Sequence, residues 1–312
     1  MKIVYLIRAH RGPAQVARLI AALRHDGARF FIHVDRKVDE APFRQAAQAP
    51  DVSFAANRIT ANWGGFSLVR ATLSGLREIL AEAAGGEPDR ICLLSGQDYP
   101  LISAEGIADY FARHSDIEFI SYAALPAPFW DSKAMRRINR YYFYDWLPLV
   151  WPANRSRRIT QRMTLRLRLF TKLAQILLPK PSLPAGYAPY GGSAWWCLTG
   201  RTARLALELS DANPRLQRFF SHTQHAEEMY FQTLLLNADV DVSRFRGEWR
   251  RRELGSYLWF EEWKKSSPRT LVANDLETLM ASDKMFARKF DLDVDSRILD
   301  LLDEVRPGRR LP

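Results

Sequence analysis

Two short apolar runs, KIVYLIR (2–8) and RFFIHVD (29–35), constrain this chain more than any other feature. Strands covered on both faces read as near-continuous apolar segments, and such strands belong to parallel sheets. Between them the pattern predicts a helix over about 13–25, with Pro13 near its first position and Gly27 just past its end. A β-α-β start commits the sheet to helices on both sides. VSFA (52–55) continues it as a short strand, followed by a loop around ITANWGG and a helix at about 66–83. ICLLSG (91–96) is another buried strand, breaking into a Gly-Gln-Asp-Tyr-Pro loop. A helix at about 103–113 and the strand EFISY (118–122) complete an α/β core of mainly parallel strands.

From 126 to 190 the alternation is lost in a stretch rich in Pro, Arg and aromatics. Within it, SRRITQRMTLRLRLFTKLAQILL (156–178) reads as a basic amphipathic helix. SAWWCLTG (193–200) resumes as a strand, then helices are expected at about 201–210 and 225–237. A strand pair (241–245, 257–261) and helices at about 273–280 and 294–304 finish the chain. No internal repeat or linker-like break appears, so the expectation is one domain over 1–312 with an irregular insertion at about 126–190.

Composition removes several classes. A hydrophobic fraction of 47% and a charged fraction of 26% are those of a soluble globular protein, which excludes a disordered or collagen-like chain. The net charge of +10 favours an anionic partner: nucleotide, nucleic acid, membrane surface or acidic glycan. Cys92 and Cys197 each lie inside an apolar run and read as reduced, buried small hydrophobes. The N-terminal apolar run is too short for a signal segment, and no run approaches the ~18–20 residues of a membrane span. The expected location is cytoplasmic, at most peripheral on the inner face of a membrane.

Most familiar catalytic motifs are missing. There is no GxGxxG after the first strand, no GxxxxGK[ST], no HExxH, no GxSxG and no Cys/His ligand spacing. Asp-x-Asp triplets at Asp239–Asp241, Asp291–Asp293 and Asp293–Asp295 come late and read as solvated turn or cap residues, so no metal is expected. Better candidates lie at strand ends, where open α/β sheets bind ligands. Asp35 ends FIHVD, where it either accepts hydrogen bonds from a base or ribose or merely closes the strand. Asp98 follows ICLLS in the same way. Trp63, in NWGGF, either stacks on a sugar or is a structural tryptophan. MFARKFD (285–291) and KKSSPR (264–269) offer cations for a diphosphate. HAEEMYFQTLLL (225–236) places Glu227 and Glu228 at an apparent helix start, where acids also complement the dipole.

In order along the chain, FIHVDRK (31–37), NWGGFSLVRATLSGL (62–76), ICLLSGQDYPL (91–101), GGSAWWCLT (191–199), EEMYFQTLL (227–235) and FARKFD (286–291) resemble one family. It is the core-2/I-branching β-1,6-N-acetylglucosaminyltransferases and peptide O-xylosyltransferases, glycosyltransferase family 14, here in a bacterial-type form. The resemblance implies a GT-A-like fold, a UDP-sugar donor, inversion at the anomeric carbon and no requirement for an Asp-x-Asp-bound metal. It implies Glu228 as general base, Lys289 at the donor diphosphate, Asp35 near the nucleoside, and Trp63 and Asp98 at the donor site. A second basic residue at the diphosphate falls equally on Lys265 or Arg269. Ala194 after Gly-Ser is similar to the branching enzymes, whereas IHVDRK and WGGFSL are closer to the xylosyltransferases, so GlcNAc and xylose both stand as the transferred sugar.

Only one base is required for such a transfer, and neighbouring helical positions point about 100° apart, so the two acids do not both face one site; with Glu228 the base that the resemblance implies, Glu227 takes a cap or supporting role. Arg137, Arg140, Tyr141 and Trp195 are candidates for the acceptor, a glycan or a lipid-linked glycan. The helix at 156–178 either lies on an anionic membrane or packs on the core with a basic outer face. Two other classes compete. Paired carboxylates can mark a glycoside hydrolase, and charge with aromatics can mark a nucleic-acid-binding module. Adjacent glutamates suit the first poorly, and scattered cations without a recognition motif suit the second poorly, so no nucleic-acid partner is expected.

Overall fold

The computed structural model describes residues 1–82, 86–127, 134–145, 169–179, 181–248, 257–264 and 267–311. The first half alternates strand and helix: β1 (Ile3–Ala9), α1 (Pro13–Leu23), β2 (Ala28–Val34), α2 (Ala41–Ala46), β3 (Val52–Phe54), α3 (Ser67–Glu82), β4 (Arg90–Ser95), β5 (Asp98–Pro100), α4 (Ala104–Arg113) and β6 (Glu118–Ala124). The second half holds α5 (Ala134–Ile138), a helix α6 over the described residues 169–177, β7 (Tyr190–Gly191), β8 (Trp196–Thr199), α7 (Gly200–Ala212), α8 (Pro214–Phe220) and α9 (Tyr230–Leu236). It ends with β9 (Phe245–Glu248), β10 (Trp259–Glu261), β11 (Trp263–Lys264), β12 (Ser267–Pro268), α10 (Leu276–Ala281), β13 (Phe286–Arg288) and α11 (Arg297–Val305).

The main sheet runs β3-β2-β1-β4-β8-β6-β7, with β9 also on β6. β1 pairs in parallel with β2 and β4, and β2 with β3, whereas β8 is antiparallel to both β4 and β6. The chain moves outward from β1 to β2 and β3, then returns across to β4. With right-handed crossovers, that reversal puts α1 and α3 on opposite faces and opens a crevice at the carboxyl end of β1, where the strand order turns back to β4. The strands facing it are buried on both sides: Tyr5, Leu6, Ile7, Phe30, Phe31, Ile32 and Leu93 are at most 1% exposed. Cys92 and Cys197 face each other in the β4–β8 register, free and buried.

Two expectations are corrected. The helix foreseen over 225–237 is two elements, a 3-10 turn at Ala226–Glu228 and α9, because His225 adopts a left-handed backbone (φ 53°) and Met229 (φ −138°) separates them. The segments near 241–245 and 257–261 are not a pair: β9 joins β6, while β10 joins β13 in a separate sheet ordered β10-β13-β5. FARKFD contributes β13 to that sheet. Of the helix foreseen at 156–178, residues 156–168 lie outside the described residues, residues 169–177 form α6, and residue 178 is a bend.

Candidate active site

A cavity of about 260 Å³ opens at the carboxyl ends of β1 and β2, lined by residues that include Arg8, His10, His33, Asp35, Lys37 and Trp63. Each side chain is held by its own element. Asp35 is 7% exposed; one carboxylate oxygen accepts from the backbone N–H of Lys37 (3.0 Å), and the other lies 3.4 Å from Lys37 Nζ. Arg58 ties the loop down by donating to the carbonyls of Val34, Asp35 and Val38. His33 Nε2 accepts from the Ile59 N–H (3.0 Å), which leaves the proton on Nδ1. Burial, followed by the charge on Arg8, lowers the His33 pKa and keeps the ring neutral.

The WGGFS loop forms one wall. Trp63 is 68% exposed, which removes the structural-tryptophan reading, and its indole meets His225 edge-on at 4.6 Å. The N–H of His225 donates to the carbonyl of Gly64 (2.9 Å), so the loop and the acid-bearing turn are joined directly. Asp145, which nothing in the local sequence pattern singles out, anchors this loop from within the insertion. Its carboxylate accepts from Ser67 N–H (2.8 Å), Ser67 Oγ (2.6 Å) and Asn62 Nδ2 (3.1 Å), capping α3. A Cβ at Gly65 would occupy the space of that carboxylate, so the second glycine of the loop is required by close approach.

The two glutamates separate. Glu228 Oε2 pairs with Arg137 Nη1 at 2.5 Å, and its side chain keeps 23% exposure. Burial raises the Glu228 pKa; Arg137 opposes that, Glu227 adds to it and His225 opposes it. The Glu228 carbonyl accepts from the Gly192 N–H (2.7 Å), and Gly192 lies so close to the Ser121 carbonyl that no Cβ fits. Thus the GGS turn fixes the backbone of the candidate base. Glu227 is turned inward, 9% exposed, with Oε1 3.7 Å from His225 Nδ1, and Oε2 buried without a hydrogen-bond partner. Its charge acts on Arg8, whose pKa burial lowers to about 10, so Arg8 stays charged at neutral pH.

Lys289 is close enough to the crevice to act on His10, one of its lining residues. Arg11, Lys37, Lys289 and Asp35 all act on the His10 imidazole, whose pKa is lowered first by desolvation and then by Arg11. Burial, then Arg11 and Arg288, also hold Lys289 below its ordinary value, and no carboxylate among the described residues lies within ion-pair distance of its Nζ. Arg269 lies beside it only through the backbone, donating no free guanidinium: Asp275 (2.6 Å) and Glu262 (2.5 Å) hold that group. Lys265 lies outside the described residues.

Asp98 is not presented to the crevice. It is fully buried and accepts from Ser95 N–H (2.9 Å), Ser95 Oγ (2.7 Å) and Arg288 Nε (2.9 Å). Of the acceptor candidates, Arg137 holds Glu228, and Arg140 is exposed. Tyr141 is half-buried against Phe143 and His222. Trp195 is 8% exposed, with Arg288 at 4.4 Å and Arg8 at 5.1 Å from its ring centre. Among the described residues no group of three or more His, Cys, Asp or Glu could hold a metal ion, and the late Asp-x-Asp acids serve locally: Asp241 caps Ser243, and Asp291 pairs with Arg11.

Comparison with known proteins bears on this arrangement. Human xylosyltransferase 2 is 27% identical over 319 residues, covering 97% of this chain and 33% of its own length. Rat xylosyltransferase 1 is 25% identical over 323 residues, 99% of this chain and 36% of its own. The chain therefore spans about a third of the length of the curated relatives it matches. A structure of mouse xyloside xylosyltransferase 1 in its apo form matches only loosely, at a TM-score of 0.31 and 13% identity over 74% of this chain and 81% of that one. The Core-2/I-Branching enzyme description matches residues 3–278, which include the crevice, the WGG loop and the Glu228 turn but stop short of Lys289. By that match the chain belongs to the Core-2/I-Branching enzyme family.

Proposed function

We propose that this protein is an inverting, metal-independent glycosyltransferase that moves GlcNAc or xylose from a UDP-sugar to a hydroxyl of a glycan or lipid-linked glycan. The observation that carries the reading is the direct link between the strand-end crevice and the acid turn. Gly64 and Trp63 contact His225, three residues before Glu228, while Asp35 lines the same crevice and Lys289 acts on its lining residue His10. In the reaction the acceptor oxygen attacks C1 of the donor sugar from the face opposite UDP. Glu228 takes the hydroxyl proton as the new C–O bond forms, and the C1–phosphate oxygen bond breaks with its electron pair leaving on UDP. Lys289 compensates the charge that develops on the diphosphate. Family membership and the curated xylosyltransferases support the chemistry; the choice between the two sugars rests on the mixed resemblance of the motifs.

The test is a UDP-release screen over several UDP-sugars with EDTA present throughout. Turnover on UDP-GlcNAc or UDP-xylose is expected to survive chelation; activity that EDTA abolishes and a divalent cation restores would reject the metal-free reading. Lys289→Ala is expected to raise the donor KM about tenfold or more, because a charge-assisted contact contributes ~1.5–3 kcal/mol, with a smaller change in kcat. Unchanged donor KM would remove Lys289 from the diphosphate.

The Arg137–Glu228 pair sets a pH expectation. Activity needs the carboxylate, so it falls as pH drops through the Glu228 pKa. Arg137 opposes the rise that burial imposes, so Arg137→Ala lets that pKa climb further. The acid limb of kcat/KM against pH should then move to higher pH. An unmoved limb with a raised acceptor KM would instead make Arg137 a contact to the acceptor.

Neither competing class fits as well. A hydrolase needs two carboxyl groups on opposite sides of a bond, roughly 5–9.5 Å apart with a sugar between them. Here Glu227 faces His225 and the protein interior, and Glu228 faces Arg137. As for nucleic acid, many arginines are already paired with acids, among them Arg18, Arg24, Arg77, Arg269 and Arg310.

A further inference from the structure

We propose that the outward face of α6 docks on an anionic lipid bilayer. The helix is amphipathic, but its apolar side points away from the protein. Leu169, Leu173, Ile176 and Leu177 are 68, 53, 78 and 69% exposed. At 100° per residue these four fall within an arc of about 100°. The side that faces the protein is the narrower and more polar one. Ala174 is buried, Gln175 Nε2 donates to the Tyr141 carbonyl (2.8 Å), and Phe170 meets Phe143 at 5.0 Å from the flank. A soluble helix normally turns its apolar stripe to the core. Four large aliphatic side chains turned outward need another apolar medium.

Charge decides which medium. Lys172 is exposed at the edge of the apolar arc. Residues 146–207 contain no Asp or Glu, and between Arg155 and Lys172 the chain carries six arginines and one lysine. A second copy of this chain docked on the same arc would bring another Lys172 and a net charge of +10 against it, which disfavours self-association. An anionic bilayer surface offers what both parts need, acyl chains for the aliphatic arc and lipid phosphates for the cations. The described chain also connects this helix to the acid turn. One segment, residues 134–145, holds Glu228 through Arg137 and supports α6 through Tyr141 and Phe143. A docked α6 would thereby bring the candidate base to a surface where lipid-linked acceptors reside, which rests on the transfer reaction proposed above; the docking itself does not.

The experiment is co-sedimentation of the full chain with phosphatidylcholine vesicles made with and without phosphatidylglycerol, at low and physiological salt. Wild type is expected to partition onto the phosphatidylglycerol vesicles. Partition should fall at least about tenfold on phosphatidylcholine alone and in the double variant Leu173→Asp/Ile176→Asp, since both apolar and ionic contributions are needed. Because both positions are exposed, the variant should keep its melting temperature and its UDP release in solution. No binding to phosphatidylglycerol vesicles, or binding that the variant leaves intact, would overturn the proposal. So would a wild-type dimer that the variant converts to a monomer without any lipid partition. Lipid partition is read without turnover, so its failure leaves the transfer reaction untouched, and failure of the UDP-release screen leaves the docking surface untouched.

Discussion

Glu228→Gln is expected to reduce transfer by about 10²–10⁴-fold, the range that a positioned general base contributes, while UDP binds as in the wild type. The substitution preserves size and keeps an oxygen that can accept from Arg137. The contact between the residue-228 carbonyl and Gly192 belongs to the backbone and is unaffected. Donor contacts are expected from Asp35, Trp63 and Lys289, none of which touches the Glu228 side chain in an observed hydrogen bond or ion pair. The measurement pairs steady-state UDP release with calorimetric titration of UDP. Glu227→Gln is the informative companion. That carboxylate is buried, faces His225 and acts on Arg8, so its loss should disturb the protein's charge balance without removing the proton acceptor. If Glu227→Gln erased turnover with a folded protein and Glu228→Gln did not, the two roles would have to be exchanged.

What could be read from sequence followed local periodicity. β1, β2 and β4 are long apolar runs, and their burial on both faces is what such runs mean; α3 and α4 begin and end within a few residues of their expected limits. The same logic failed where one residue changes the backbone. HAEEMYFQTLLL has helical composition throughout, but the left-handed His225 and the break at Met229 set the two acids on a separate turn. No side-chain pattern announces that. Asp145 was invisible for another reason: its partners Asn62 and Ser67 lie some eighty residues upstream, and an acid capping a remote helix leaves no local signal. The amphipathic pattern of α6 was legible, yet the pattern alone does not say which side faces the protein. It took the contacts of Ala174 and Gln175 to show that the apolar side is outward.

Asp98 is where reading by strand-end position and the structure diverge most, and its replacement should have the largest effect on stability. The three-residue strands β10, β13 and β5 align Glu261 with Arg288 and Arg288 with Asp98 in register. Arg288 Nε lies 2.9 Å from Asp98, and Nη1 lies 3.1 Å from Glu261, with Trp195 stacked on the guanidinium. Burial opposes the charge on Arg288, but Asp98 and then Glu261 outweigh it, so its pKa is held above the ordinary value. Glu261 alone cannot replace Asp98, because burial already raises the Glu261 pKa against the pull of Arg288. Removing one member of a buried pair leaves the other desolvated and uncompensated, at a cost of roughly 3–5 kcal/mol. Asp98→Asn should therefore lower the melting temperature by about 10 °C, and any loss of donor affinity should track the unfolded fraction. A variant that melts like the wild type but no longer binds UDP would return Asp98 to the donor site. The expected result makes it instead the counter-ion that fixes Arg288 and, one residue further along the strand, the backbone that carries Lys289.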